Sequence, residues 1–264
     1  MSEEIQKPTA TRGQQTMAFR GRQENRFWWY NLARNDYVPP VISCLSDEEW
    51  ILLQDWFDDT NIKYSSPGEI GIPGISFLIG LIGGNGISRI VQCGHYVGFS
   101  SIMLGLTLRN MGKRRSLFSL DIDPTVTAYT QDWLDRANLN SVVKLAVMDS
   151  SHENAPSAAA DWLQGPPQLL FIDSSHQRDH TIRELDRWYP ELVPGGLVLM
   201  HDVSVFAQQF DGSGKGGVLA AVREWTKSRG LSPLLLNSLV DGSRTPDDLV
   251  YQDGCGLGLF QKPL

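Results

Sequence analysis

Cysteine is scarce in this chain. Its three cysteines, Cys44, Cys93 and Cys255, are an odd number, lie far apart and include no CxxC pair. Secreted domains that depend on disulfides carry denser cysteines, whereas thiols are kept reduced in the cytosol. The first residues, MSEEIQKPTATRGQQ, also lack the apolar run of a signal peptide. We therefore expect free thiols and a cytoplasmic location.

Basic residues are fewer than acidic ones. The 264 residues include 23 Lys and Arg against 30 Asp and Glu, which gives a formal net charge of −7 at pH 7. This excess of negative charge argues against nucleic acid or an anionic membrane as a partner. Hydrophobic residues make up 41% of the chain. At this length they supply a full core for one large domain, or for one domain with a cap.

Long apolar runs are also rare, and one stretch requires a check for a membrane span. Residues 70–88 contain no charged side chain and are long enough to cross a bilayer. However, Pro73 and three glycines near the end of the stretch favour a helix that stops and turns. The sequence therefore predicts a buried helix from about Ile75 to Ile82.

The N-terminal quarter differs in composition from the rest. Residues 1–25 have few apolar side chains, so we expect them to be disordered or loosely attached. Residues 26–32, RFWWYNL, form an aromatic cluster that could pack in the core, cover a substrate or support a homodimer. Ser46 and Glu49 have the spacing of a capping box at the start of an amphipathic helix. We interpret residues 26–68 as a helical cap on a larger domain, residues 69–264.

From residue 89 onwards, short apolar runs alternate five times with segments of helical spacing. The apolar runs are RIVQC, SLFSLD, VVKLAVMD, LLFID and GLVLMHD. Continuous apolar strands separated by helices are typical of a parallel sheet that is covered on both faces. The last two runs, LSPLLLNSL and CGLGLFQK, have no helix between them and should pair antiparallel. The pattern predicts an α/β, doubly wound, mostly parallel seven-stranded sheet with an antiparallel last strand.

Polar residues follow these strands at their carboxyl ends, which is where ligands bind to open parallel sheets. Gly94 and Gly98 form a G-x-x-x-G turn, not the G-x-G-x-x-G turn that binds a dinucleotide pyrophosphate. The looser turn leaves room for a zwitterionic amino-acid tail. Asp121 could accept both hydroxyls of a ribose, or simply precede the next helix as a favourable acid. Asp149 and Ser150 are placed to reach an adenine.

Four pieces of the sequence, GHYVGFSS, LDIDP, LLFIDSSH and PGGLVLMHDV, resemble the class I methyltransferases that depend on S-adenosylmethionine (SAM). The resemblance covers about residues 70–262. It is greatest to small-molecule O-methyltransferases of the catechol and caffeoyl-CoA type and to the macrocin O-methyltransferase and cephalosporin-hydroxylase-like group. It implies a Rossmann-like methyltransferase fold, SAM as cofactor and transfer of a methyl group to a hydroxyl of a small molecule.

The resemblance also assigns roles to single residues. Asp121 would bind the ribose of SAM, Asp149 and Ser150 would border the adenine, and Asp173 would lie near the sulfonium. The residues at the methionine end would be Gln92, Gly94, His95, Gly98 and Ser100. Members of the class usually carry an acid at the position of Gln92. A glutamine there can form hydrogen bonds but supplies no charge.

The same resemblance places catalytic and metal-binding residues at the strand ends. His176 would be the catalytic base, because imidazole can accept a proton at neutral pH. Asp173, His201 and Asp202 would form a metal site, with His201 as a ligand, a second base or an orienting partner. Related enzymes usually carry an oxygen ligand at the position of His201. Because Mg²⁺ prefers oxygen, this histidine leaves Mn²⁺, Fe²⁺, Zn²⁺ or no metal open.

Two other functions remain open from the sequence. A nicotinamide oxidoreductase would share the doubly wound sheet but should have a G-x-G-x-x-G turn after the first strand, where this chain has G-x-x-x-G instead. A SAM-binding protein without transferase activity would fit the departures at Gln92 and His201. We interpret His180 as a solvated helix residue, since HQRDH lacks the glutamate of the HExxH zinc motif. The sequence does not identify the methyl acceptor.

Overall fold

The structure is a computed structural model that describes residues 38–237 and 253–264. The segment 1–25 and the aromatic cluster 26–32 lie outside the described residues, so the predictions about them stand as predictions. The described part of the proposed cap begins at residue 38. The division into a cap and a larger domain also stays a prediction.

Among the described residues, seven strands form one sheet in the order β3-β2-β1-β4-β5-β7-β6. Neighbouring strands among β1 to β5 pair in parallel. β7 is antiparallel to both β5 and β6 and lies between them. The predicted fold class is confirmed. The strands are β1 (Ile90–Cys93), β2 (Leu117–Asp121), β3 (Val143–Val147), β4 (Leu169–Ile172), β5 (Leu197–His201), β6 (Leu234–Leu236) and β7 (Leu257–Gln261).

Helices cover both faces of this sheet. β1 and β4 are buried along their whole length, because side chains on both of their faces pack against helices. The helices are α1 (Pro40–Ser43), α2 (Asp47–Lys63), α3 (Ile72–Asn85), α4 (Phe99–Asn110), α5 (Pro124–Arg136), α6 (Ala155–Leu163), α7 (Arg178–Trp188) and α8 (Gly217–Ser228), with a 3-10 helix at Phe206–Phe210.

Helix α3 contains the predicted buried helix and extends it at both ends. Pro73 lies in the first turn, where its missing N–H costs no helical hydrogen bond. The helix ends at Gly86, whose φ of 65° is the left-handed conformation that glycine adopts without strain. No helix in the described parts of the chain is long and apolar enough to cross a membrane.

Helix α2 packs into the same core as the sheet. Ser46 and Glu49 form the predicted capping box, in which each residue's backbone N–H donates to the other's side chain. Trp56 and Phe57 are buried among apolar residues of the sheet and of α4. The Trp56 Nε1–H also donates to the carbonyl of Val97, at 2.8 Å. Helix α2 therefore supports the turn between β1 and α4.

The chain order of the strands reverses at β1, which has β2 on one side and β4 on the other. At such a switch point the connections leave the sheet in opposite directions, so that a crevice opens beyond the carboxyl ends of the strands. The topology thus identifies where a ligand site is expected before any side chain is considered.

Candidate active site

A pocket of about 610 Å³ occupies this crevice. Its volume is within the range of small-molecule and cofactor sites. The polar strand ends of β2, β3 and β4 line it together, and Asp121 and His176 belong to the same pocket. Its lining residues include Gly94, Tyr96, Asp121, Ile122, Met148, Asp149, Ser150, Asp173, Ser174, Ser175, His176, Gln177 and His180.

Asp121 ends β2 with its carboxylate fixed by backbone donors. Its Oδ2 accepts from the backbone N–H of His95 at 3.2 Å and of Tyr96 at 2.9 Å, and its Oδ1 accepts from that of Asp123 at 3.0 Å. These bonds hold the carboxylate against the turn that follows β1. A carboxylate held in this way can accept the two neighbouring hydroxyls of a ribose without losing side-chain entropy on binding.

The two glycines of the predicted turn are required by close contacts within the protein. Gly94 has a φ of 87°, and a Cβ there would lie 2.1 Å from the carbonyl oxygen of Asp173. Gly98 has a φ of 97°, and a Cβ there would lie 2.7 Å from the side chain of Thr130. Only glycine fits at these two positions. At Gly94 the missing side chain lets the β1 turn lie directly against Asp173 at the end of β4.

Gln92 and His95, predicted at the methionine end, turn their side chains into the protein. Gln92 is fully buried, donates to the Gly94 carbonyl and to Ser100 Oγ, and accepts from Ser101 Oγ. The ring of His95 lies between the hydroxyls of Ser119 and Thr127, at 3.1 and 2.9 Å. Burial lowers the pKa of His95 to about 4, although the negative charge of Asp121 alone would raise it. The ring is therefore neutral at pH 7.

A small hollow lies beside the main pocket, between the β1 turn and residues 67–70. It has a volume of about 20 Å³, which is room for about one water molecule. Ser100, Glu69 and Asp173 are among the residues that line it. Gly68, Gly94, Tyr96 and Asp173 line both this hollow and the main pocket.

Asp149 and Ser150 lie at the other end of the pocket and contact helix α7. Oδ1 of Asp149 accepts from the backbone N–H and hydroxyl of Ser151, at 2.8 and 2.7 Å, and lies 3.2 Å from His180 Nε2. Burial would raise the pKa of Asp149, but these partners outweigh it and lower that pKa to about 2. Ser150 donates to the buried carboxylate of Glu184.

A group of acids surrounds His201 at the end of β5. The ring Nδ1 lies 3.3 Å from Asp173 Oδ1 and 3.5 Å from Asp202 Oδ2, and Nε2 lies 3.1 Å from Asp253 Oδ2. Burial would lower the pKa of His201, but the charges of the three carboxylates raise it well above its ordinary value. In turn, His201 holds the pKa of Asp202 below its ordinary value, although burial would raise it.

The donor atoms of Asp173, His201 and Asp202 lie within 4.8 Å of one another. One imidazole nitrogen and two carboxylate oxygens suit Mn²⁺, Fe²⁺ or Zn²⁺ better than Mg²⁺. Two of these three residues are buried, and three carboxylates surround the His201 imidazole, so a divalent cation would offset the excess negative charge. The residues present therefore fit a metal ion.

His176 stands at the mouth of this cluster. Its Nε2 lies 3.4 Å from Asp202 Oδ2, and its side chain is 43% exposed. The ring packs against Phe210 of the 3-10 helix, with centroids 5.3 Å apart. Asp202 has a φ of 63°, a strained conformation for a residue with a side chain. This conformation places its carboxylate between the rings of His176 and His201.

Comparison with known families identifies a similar domain. The family model described as a methyltransferase domain matches residues 91–203, from β1 to just past β5. Residues 91–203 are a methyltransferase domain. No curated protein matches the sequence.

Several solved structures share the fold of this chain over most of its length, well beyond residues 91–203. An O-methyltransferase from Bacillus cereus in complex with S-adenosylhomocysteine (SAH) is 16% identical, with a TM-score of 0.60 over 83% of this chain and 92% of that one. The SAH-bound methyltransferase PaMTH1 from Podospora anserina is 15% identical, with a TM-score of 0.63 over 83% and 89%. The O-methyltransferase TomG from Streptomyces achromogenes, in complex with SAM, is 16% identical, with a TM-score of 0.60 over 81% and 90%. At these identities the likeness establishes the Rossmann-like methyltransferase fold.

The structure brings most of the predicted residues of the methyltransferase domain to one edge of the sheet. Asp121, Asp149, Ser150, Asp173 and His176 line the main pocket, and Ser100 lines the small hollow. His201 and Asp202 meet Asp173 beside them. Their roles toward a cofactor, an acceptor or a metal stay predictions.

Three residues that contact the predicted site residues were not identified as part of the site from the sequence. His180 was predicted to be a solvated helix residue, which is wrong: its side chain is only 15% exposed and lies between Asp149 and Glu184. Glu184 lies on the buried stripe of α7 beside Thr181, Leu185 and Trp188, and this spacing was a readable signal. Asp253 follows a stretch without a motif, so nothing in the sequence indicated it.

Proposed function

We propose that this protein is a SAM-dependent methyltransferase that transfers the methyl group to a hydroxyl of a small molecule. One observation carries the proposal. A carboxylate suited to a ribose, Asp121, and an imidazole suited to an acceptor proton, His176, line the same pocket of a methyltransferase domain.

The charges of the pocket support SAM as the cofactor. Asp121, Asp149 and Asp173 line the pocket, and SAM carries a positive sulfonium that negative side chains would stabilise. In the proposed pose, the ribose hydroxyls donate to Asp121 and the adenine lies by Asp149 and Ser150. The methionine end lies toward Gly94, Gly98 and Ser100, near the main-chain atoms of His95 and above the buried Gln92.

The proposed reaction requires removal of one proton. His176 accepts the proton of the acceptor hydroxyl, and the oxygen then attacks the methyl carbon of SAM. A carbon–oxygen bond forms while the carbon–sulfur bond breaks, and its electron pair stays on the sulfur to give SAH. Asp202, 3.4 Å from the ring of His176, stabilises the imidazolium that results. The exposed side of this ring then returns the proton to solvent.

The proposed metal site is the set of Asp173, His201 and Asp202, in which Asp253 holds the far side of the His201 ring. A divalent ion bound there would act as a Lewis acid that lowers the pKa of an acceptor hydroxyl. Asp173 belongs both to this set and to the pocket. It would therefore orient the acceptor relative to the cofactor.

Two measurements test the proposal in sequence. Isothermal titration calorimetry with SAM should show one binding site, and no binding would exclude the methyltransferase function. Transfer of labelled methyl from SAM is then measured on a panel of phenols, sugars and other hydroxylated compounds. We expect His176→Ala to abolish this transfer while SAM affinity is unchanged, with His152→Ala as the matched control. SAM binding without transfer to any acceptor would favour a non-catalytic SAM-binding protein.

A further inference from the structure

One face of helix α7 holds the loop after β3 that borders the proposed adenine position. Glu184 is fully buried, and its Oε1 accepts from Ser174 Oγ at 2.6 Å as well as from Ser150 Oγ. One turn further along, the Trp188 Nε1–H donates to the Ser150 carbonyl at 2.8 Å. The Arg187 Nε–H donates to the next carbonyl of the loop, at 3.3 Å. The helix therefore fixes both the side chains and the backbone of this loop.

His180 is the member of this face that reaches the pocket. It lines the pocket, and its ring stands between two carboxylates, with Nε2 3.2 Å from Asp149 Oδ1 and Nδ1 3.5 Å from Glu184 Oε2. Nδ1 and Glu184 Oε2 are both buried, and neither has a hydrogen-bond partner among the described residues, so the 3.5 Å contact between them is the nearest pairing that either atom has. Burial alone would lower the pKa of His180, but the hydrogen bonds and charges of Glu184 and Asp149 raise it.

The two carboxylate oxygens of Asp149 differ in their hydrogen-bond partners. Oδ1 has three neighbouring donors, from Ser151 and His180. Oδ2 has no hydrogen-bond partner among the described residues, and the side chain is 41% exposed in the pocket wall. An ionised carboxylate accepts hydrogen bonds and cannot donate them. Oδ2 is therefore suited to an N–H donor of a ligand.

We propose that His180, held by Glu184, is the positioning residue that makes this site select the 6-amino group of a purine. His180 acts through Asp149, because it fixes Oδ1 and thereby directs Oδ2 toward the base. The inference rests on the proposed function, in which the adenine of SAM lies at this end of the pocket. Without the ring, Asp149 Oδ1 keeps only the donors of Ser151 and the carboxylate can turn toward solvent, while Glu184 keeps its bond to Ser150 but loses its link to Asp149.

The test compares two ligands on the full-length protein by calorimetry. The first is SAH, and the second is the SAH analogue in which hydrogen replaces the 6-amino group of the purine. Because a hydrogen bond to a charged acceptor is lost with the amino group, the wild-type protein should prefer SAH by about tenfold or more. We expect His180→Ala to reduce this preference to less than about threefold, mainly through weaker binding of SAH.

The matched control is His152→Ala, which removes an exposed histidine from the same region and should keep the full preference. His180→Asn is a second variant whose polar side chain is too short to bridge Asp149 and Glu184, and it should lose the preference as well. Thermal unfolding of each variant reports whether it is folded.

The outcomes separate the two proposals. Equal loss of affinity for both ligands in a folded His180 variant would show a merely structural role and would overturn the inference. An unchanged preference would overturn it too. If wild-type protein binds SAH but does not distinguish the analogue, the position of the base is wrong while SAM binding stands. If it binds neither ligand, the proposed function itself fails.

Discussion

Single residues in this site are held by backbone contacts before any ligand arrives. Asp121 accepts three backbone N–H bonds, and Gly94 permits the contact between the β1 turn and Asp173. Such pre-organisation lowers the entropy lost on binding. The energetic role of a residue in this site should therefore appear as a change in affinity, with little change in fold.

Replacement of Asp121 tests whether this carboxylate contributes to SAM affinity through the ribose. We expect Asp121→Ala to weaken SAM binding by about 1–3 kcal/mol, since it removes charge-assisted hydrogen bonds to the ribose hydroxyls. Calorimetry with SAM gives the difference, and Asp123→Ala, in the same loop but capping α5, is the comparison. Unaltered affinity in Asp121→Ala would remove this residue from the cofactor site.

His95 provides a prediction about pH. Its pKa falls from the ordinary 6.5 to about 4 in the folded protein because of burial. Between these values the unfolded chain binds a proton that the folded protein does not. The stabilisation from His95 is therefore present above pH 6.5 and is lost as the pH falls toward 4. The free energy of unfolding of wild type minus that of His95→Gln should drop by about 1–3 kcal/mol between pH 7 and pH 4.5. A difference that stays constant with pH would contradict the assignment.

At the scale of elements, the local sequence explained most of what the structure contains. Each apolar run became a strand, and the capping box of Ser46 and Glu49 begins α2. Periodicity could not show that β7 inserts between β5 and β6, since strand order depends on long-range pairing. It also missed the 3-10 helix Phe206–Phe210, which is too short to have a period.

The capping box gives a prediction at this scale. We expect Ser46→Ala to lower the free energy of unfolding by about 1 kcal/mol, because the N–H of Glu49 loses its acceptor at the helix start. Chemical denaturation at pH 7 measures this. Ser43→Ala, a half-buried serine in α1 whose hydroxyl makes only a long, exposed hydrogen bond to the Pro40 carbonyl, should change it by less than about 0.5 kcal/mol. Equal effects of the two substitutions would show that the box contributes nothing specific.

At the scale of the whole molecule, the topology predicts the position of the site, and tertiary packing decides how each side chain is used. Motif positions identified Asp121, Asp173 and His176 at one edge. They could not show that the side chains of Gln92 and His95 face inward, because their partners on α4, β2 and α5 are brought to them only by tertiary packing. Asp253 joins His201 from the far end of the chain. The homodimer and the role of the aromatic cluster 26–32 stay predictions, and the cluster lies outside the described residues.

The cluster around His201 gives a prediction for the whole enzyme. Because three carboxylates converge on one buried imidazole, we expect EDTA to abolish methyl transfer and Mn²⁺ to restore it better than Mg²⁺. Elemental analysis of the purified protein gives an independent measure of bound metal. Full activity in EDTA, together with no metal found, would show that His176 works without a metal ion.

The most direct test of the account is a crystal structure of the protein soaked with SAH. We predict density in the crevice beyond β1 and β2, with the ribose on Asp121, the purine beside Asp149, and the sulfur between Asp173 and His176. SAH bound elsewhere, or bound with its sulfur remote from His176, would contradict the account.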